Sequence, residues 1–491
     1  MKRIVRNSGM LTAALTIILS ATLSAQSPGD IDSSSVDVTE KVIAMNNEHA
    51  KAIPTTWNEG KVSELKLSTK AIKKRTNGFE IALPSNAPVP TPTIYDGELY
   101  SSGGFHSKEF FCFDGETGKV IWGVSLNDDG PSSAVVEENV VVFNTESCTI
   151  FALDAQTGKH LWSWWLGDPL MSTPTIYDGK VYTSYPRSSP DGSASHIMAC
   201  FELQTGKVIW QKWIDSDVMS APVGTDGVIF ATTFAGTLYK FDPTNGEILS
   251  AIQNRSTSAP VIVNNQIYFT QRADRDGTVR EAIARADKTS VSGIVRLNEK
   301  DAIYLDKKVQ EDSEYKAKGM SLDAGNGFSG GAPSTANAAV AADNIGQGNV
   351  STLQSFQGSR ILYADGRNFN TMGDEIICTD PESGDVVWSK KLSGELESTG
   401  GFLGTSPLTA GNEIIVATYS GEVRRMSSDS GEVIEAYHIQ HPVRSQPAVM
   451  NGRIYVGTDD GKIICIDTKE DHLTGWSTWG GNSAHTGIGG E

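Results

Sequence analysis

The sequence predicts an all-β protein, an eight-bladed β-propeller of four-stranded antiparallel blades whose ring is closed by an N-terminal strand. Three observations predict it. A turn of the form Asp-x-x-Thr-Gly-x-x-x-Trp recurs along the chain, a short hairpin signal precedes each copy, and one strand-like segment lies ahead of the first unit. Units of about 40 residues with four strands each are the signature of propeller blades.

The turn is best formed in FDGETGKVIW, LDAQTGKHLW, FELQTGKVIW and TDPESGDVVW. Equivalent places are held there by Asp114, Gly118 and Trp122, by Asp154, Gly158 and Trp162, by Gly206 and Trp210, and by Asp380, Gly384 and Trp388. The acid accepts hydrogen bonds from the turn backbone, glycine takes a positive φ, and the next strand begins at once with its aromatic on the packed face. Degenerate copies fall at 242–246 and 427–431, with altered turns near Asn298 and Asp467. The preceding hairpins run from YDGELYSSG at 95, through GSRILYAD at 358, to NGRIYVGTDDG at 451. Most first strands open after a proline, at Pro92, Pro174, Pro222, Pro260, Pro407 and Pro447, with Ala134 and Leu353 in the equivalent places; no ladder donor is lost there. The last unit lacks a fourth strand after Asp467, and residues 79–83 are expected to supply it, removing the open edge.

Around this ring the sequence divides into a signal peptide at 1–25, a polar extension at 26–78, the propeller at 79–474 with a long insertion at about 270–356, and a tail at 475–491. Lys2, Arg3 and Arg6 precede an apolar stretch and small residues ending at Ala25, which places the mature chain in the periplasm or outside the cell. No later apolar run is long enough to span a bilayer. Within the extension, 36–52 has weak helical periodicity and 61–75 reads as a solvated basic linker. A formal net charge of -18 argues against nucleic acid and favours a basic partner. Of five cysteines, Cys112, Cys200, Cys378 and Cys465 recur two residues before the acidic turn position, so they are expected to be apolar fillers on strand C, as is Cys148.

These repeats resemble the pyrroloquinoline-quinone-like, quinoprotein or BamB-type, family of eight-bladed propellers, over roughly residues 79–470. The C-terminal GWSTWGGNSAHTG resembles a tail of the same family. The enzymes of the family imply pyrroloquinoline quinone held with calcium on the axis and clasped by adjacent cysteines. This chain has no such pair and no Cys-x-x-Cys-His, so no cofactor is expected on its own residues.

Loops joining strands B to C and D to the next A share one face, and that face gathers the long segments: 102–108, 186–196, 272–292, 310–352, 365–374 and 394–405. Function is expected there. The Gly, Ala, Ser and Asn-rich stretch 319–358 fits either a cover over the axis or a disordered excursion. Asp128, Asp129, Asp168, Asp215 and Asp217 on D-to-A loops face Arg255, His441 and Arg444 on later ones, predicting a funnel acidic on one side and basic on the other. His106, Arg187, His196, Arg272 and Arg367 are placed on B-to-C loops further from the axis, where His with Tyr185 is the kind of pair a lyase of acidic glycans uses. No zinc-type spacing, phosphate loop or nucleophile elbow occurs, and a metal site is not assigned. The leading expectation is a non-catalytic propeller that binds a protein, small-molecule or glycan ligand on the long-loop face. The alternative is an enzyme, a quinone-dependent dehydrogenase or a polysaccharide lyase. Oligomeric state is left open.

Overall fold

The computed structural model describes residues 35–104, 106–146, 148–167, 172–288, 293–302, 344, 361–396, 399, 401–475 and 480–484. The expected signal segment, most of the 319–358 stretch and Asp168 lie outside the described residues.

Eight antiparallel sheets follow one another around a ring, each with its strands A to D in sequence order from axis to rim. Blade 1 comprises Thr93–Tyr95, Glu98–Ser102, Glu109–Asp114 and Val120–Leu126. Blade 2 comprises Val135–Glu137, Val140–Asn144, Thr149–Asp154 and His160–Trp165; blade 3, Thr175–Tyr177, Lys180–Pro186, His196–Glu202 and Val208–Ile214. Blade 4 comprises Val223–Thr225, Val228–Thr232, Thr237–Phe241 and Ile248–Gln253; blade 5, Val261–Val263, Gln266–Arg272, Arg280–Asp287 and Val295–Asp301. Blade 6 comprises Ile361–Ala364, Arg367–Met372, Glu375–Thr379 and Val386–Lys391; blade 7, Leu408–Ala410, Glu413–Ala417, Glu422–Ser427 and Val433–His438. Blade 8 takes Ala448–Met450, Arg453–Gly457 and Lys462–Asp467 from the end of the chain, and its outer strand, Gly78–Ala82, from the beginning.

The repeated turn works as its residues dictate. Asp114 accepts from the N–H and hydroxyl of Thr117 at 2.8 and 2.6 Å, and Asp154 does the same for Thr157. Gly118 and Gly158 take φ of 68° and 67°. Each tryptophan then lies across the turn of the following blade: Trp122, Trp162, Trp210 and Trp388 donate Nε1–H to the carbonyls of Ala155, Leu203, Pro243 and Ser428 at 2.7, 2.7, 3.0 and 2.9 Å. A Cβ on Gly158, Gly206, Gly246 or Gly431 would come within 2.7 Å of that ring, so close stacking and positive φ both require glycine. Phe79 covers Gly118 in the same way at the seam between blades 8 and 1.

Two blades depart from the expected register. Strand C of blade 5 is Arg280–Asp287, inside the segment read as a long loop, and Arg296 and Asn298 lie on strand D. Its inward face carries Ala282, Ala284 and Ala286, and Ile283 is its single β-branched residue, a weak strand signal among charged neighbours. In blade 6, Asp365 and Gly366, with φ of 49° and 71°, form the A-to-B turn, so the segment read as loop 365–374 is largely strand B. Leu353, placed at the start of strand A, lies outside the described residues.

Residues 35–75 form a strap on the rim, which corrects the reading of 61–75 as a solvated basic linker. Val36–Asp37 extends the outer edge of blade 4, helix α1 (Thr39–His49) lies over blades 3 and 4, Val62–Glu64 extends blade 1, and Ile72–Arg75 extends blade 8. Asn46 pins the helix, exchanging hydrogen bonds with the backbone of Trp213 at 2.7 and 3.0 Å. Trp57 packs on Trp164, Tyr185 and Phe201. At the other terminus, Thr474 accepts from Gly411 of blade 7, while Ser483 and Ala484 accept from Val136 and Ile176 on the A strands of blades 2 and 3. Blade 3 stands opposite blade 7 in a ring of eight, so Thr474 and Ala484 bond to opposite sides of the ring. All five cysteines are buried thiols.

Candidate functional site

The B-to-C and D-to-A loops share one face, and the described candidates on it gather into separate groups. Between blades 1 and 2, the His106 N–H donates to Glu146 at 2.9 Å, its ring lies 3.4 Å from the same carboxylate, and the Glu146 N–H donates to the Asp129 carbonyl at 3.0 Å. Glu146 lies so close to Gly130, φ 67°, that a Cβ there would meet its carboxylate at 1.8 Å. Burial pushes the Glu146 carboxyl up to about 8, opposed by the His106 N–H and assisted by Asp129 and Asp128, so it is largely protonated at neutral pH. Asp128 accepts from the hydroxyls of Thr145 and Thr149 and braces the same loops.

Between blades 3 and 4, the Arg187 N–H holds the loop by donating to the Ser195 carbonyl at 2.9 Å. His196 is the first residue of strand C, its Nδ1 2.8 Å from the Ser195 hydroxyl, which donates to the Asp215 carbonyl at 2.6 Å. With that proton committed, the serine accepts from Nδ1–H; the pair is a structural brace and not a nucleophile with its base. Burial lowers the His196 pKa against the pull of Asp217, and burial raises that of Asp215 against the Thr237 hydroxyl. Asp217 accepts from the Ser184 hydroxyl and the Val218 N–H. The Tyr185 hydroxyl accepts from Gln211 at 2.6 Å.

Arg255 and Arg272 meet between blades 4 and 5. Both bind Asp274, at 3.2 and 2.9 Å, and Arg272 also donates to the carbonyl of Asn344, whose amide reaches the Ser256 carbonyl at 2.7 Å. Between blades 7 and 8, Arg444 binds Asp459 at 2.7 Å and stacks 4.1 Å above the Tyr419 ring, while His441 lies 2.8 Å from Asp460. Arg367 is elsewhere. It begins strand B of blade 6 on the turn side and binds Asp429 of blade 7 at 3.1 Å, because the register of that blade moves it from the face where the sequence placed it.

The basic candidates of the predicted funnel therefore carry acids of their own. Each basic candidate on the loop face other than Arg187 has a nearby acid, and Asp128, Asp215 and Asp217 are held by hydroxyls and backbone N–H groups. The sequence reading missed Glu146, Asp274, Asp459 and Asp460, the partners that do this; the Asp-Asp pair at 459–460 and the short spacing of Arg272 and Asp274 were the available signals. Among the described residues no three His, Cys, Asp or Glu side chains converge as a metal shell. The sequence holds no adjacent cysteine pair.

Fold and loop face define a protein of the pyrroloquinoline-quinone-like β-propeller class. The family model described as outer membrane protein assembly factor BamB matches residues 109–193, 192–275 and 333–434, more than half of the chain, and the chain belongs to that family. BamB from Moraxella catarrhalis is similar in structure at a TM-score of 0.53 and 14% identity, over 80% of this chain and 99% of that one. The computationally designed Ika8 protein gives 0.51 at 14% identity, over 79% and 98% of the two chains. Sqt1 of Saccharomyces cerevisiae gives 0.51 at 9% identity, over 78% and 96%. Such identities establish the fold alone. No curated protein matches the sequence. No helix among the described residues is long and apolar enough to cross a membrane.

Proposed function

We propose that this chain is an exported, non-catalytic scaffold that holds a protein partner on its loop face. The observation that carries the reading is the distribution of the candidate groups: separate clusters on blades 1–2, 3–4, 4–5 and 7–8, each braced by its own loops. Such an arrangement presents a fixed polar surface, which suits docking, and among the described residues brings no nucleophile, base and charge stabiliser together at one point. Trp165, 46% exposed where blade 2 meets the loop face, offers an aromatic anchor beside it. The net charge of -18 favours a basic partner surface. The family description supports outer membrane protein assembly as the process served, and the N-terminal export pattern supports a periplasmic location.

Photo-crosslinking residues at Trp165, His106 and Arg255, with Lys119 and Asp429 on the turn side as controls, test the reading in the intact cell envelope. Adducts to one protein from the loop-face positions alone are expected. Adducts from the turn side alone would move the surface, and turnover of an alcohol or acidic glycan by the purified chain would overturn the scaffold reading.

A further inference from the structure

Every blade turns two residues of strand B toward the blade before it. In blades 2, 4, 5, 7 and 8 these are Val141 and Phe143, Ile229 and Ala231, Ile267 and Phe269, Ile414 and Val416, and Ile454 and Val456. Blades 1 and 3 replace the second with Ser101 and Thr183, whose hydroxyls are hydrogen-bonded. Blade 6 alone places asparagines at both positions, Asn368 and Asn370, each 0% exposed.

Among the described residues neither asparagine has a partner for either amide atom, and the hydroxyl of Thr379, paired across the sheet from Asn368, is also buried and unsatisfied. The strand C residues in the place of Thr379 are Phe113, Leu153, Phe201, Phe241, Ala286, Met426 and Ile466, all apolar. Buried amides without partners are costly, and polar interior sites of this kind are filled by water, which needs two to four partners. The unsatisfied groups are neutral donors and acceptors, which matches water and offers an ion no countercharge.

The same seam lacks its bolt. Where a tryptophan ring covers the turn glycine in four other seams, Leu297 packs on Gly384, and Asn298 makes only a 3.4 Å contact to the Gly384 carbonyl. Among the described residues, the strap adds no strand to blades 5 and 6.

We propose that the seam between blades 5 and 6 is a hydrated joint, in which Asn368, Asn370 and Thr379 bind a cluster of internal water and at which the ring yields first. In a high-resolution crystal structure of the whole chain, ordered water is expected within hydrogen-bond reach of all three side chains. By hydrogen exchange, amides of Ile361–Ala364 and Arg367–Met372 are expected to exchange about tenfold or more faster than those of strands A and B in blade 2. Replacement by the residues of blade 7, Asn368→Ile, Asn370→Val and Thr379→Met together, is expected to slow that exchange and raise Tm. A dry seam whose amides bond to protein groups, exchange no faster than in blade 2, or a folded triple variant of lower Tm each overturns the proposal. The two wild-type measurements decide it if the triple variant fails to fold.

Discussion

At the residue scale, one tryptophan and one glycine do the work of joining two blades. Trp162 is 5% exposed, stacked on Gly206 and bonded to Leu203, so Trp162→Ala empties a whole side chain at the seam between blades 2 and 3. Its expected cost is about 3–5 kcal/mol, read from the urea midpoint at unchanged slope. Glu146 gives a pH signature of defined sign. Its folded pKa, about 8, lies above the ordinary carboxylate value, so its contribution to stability is whole below about pH 4 and is lost as pH rises through 8. Glu146→Gln removes that dependence: Tm of the variant relative to wild type should rise between pH 5 and pH 9, and parallel Tm profiles would refute the shift. The docked tryptophans and four of the buried thiols were legible because they recur in register. The partners of Arg255, Arg444 and His441 were not, since which acid reaches which base depends on how neighbouring loops fold over each other.

At the element scale, the strap shows how short strands escape a sequence reading. Val36–Asp37 and Val62–Glu64 are too brief to carry a two-residue alternation, and Ile72–Arg75 is mostly charged; their partners, the blade edges, supply the order. Strand C of blade 5 was misplaced for a related reason, because its alanines and the missing Asp-x-x-Thr-Gly turn leave little but packing to define it. Exposed sheet edges invite pairing with other chains. Removing residues 35–60 uncovers the rims of blades 2, 3 and 4, and the expected result is a lower Tm with concentration-dependent self-association on size exclusion. A monomer of unchanged Tm would show that the strap is an ornament of the ring.

At the scale of the whole molecule, eightfold repetition was readable from one turn motif, and closure from the spacing of residues 79–83 to the first blade. The strand at Gly78–Ala82 lies between Ile72–Arg75 and Lys462–Asp467 in blade 8, so both its edges are ladders. A proline there removes a donor from the closing sheet; Ile81→Pro should cost about 3 kcal/mol or more and make blades 8 and 1 the first sites of limited proteolysis. The bonds of Thr474 to blade 7 and of Ser483 and Ala484 to blades 2 and 3 add further ties between distant parts of the chain. A ribosome makes the closing strand early and its acceptor, Lys462–Asp467, near the end. For nearly the whole of its synthesis the polypeptide therefore owns a donor strand with no receiver, and a product released short of that acceptor is an unclosed arc with raw margins, which quality-control proteases are equipped to recognise.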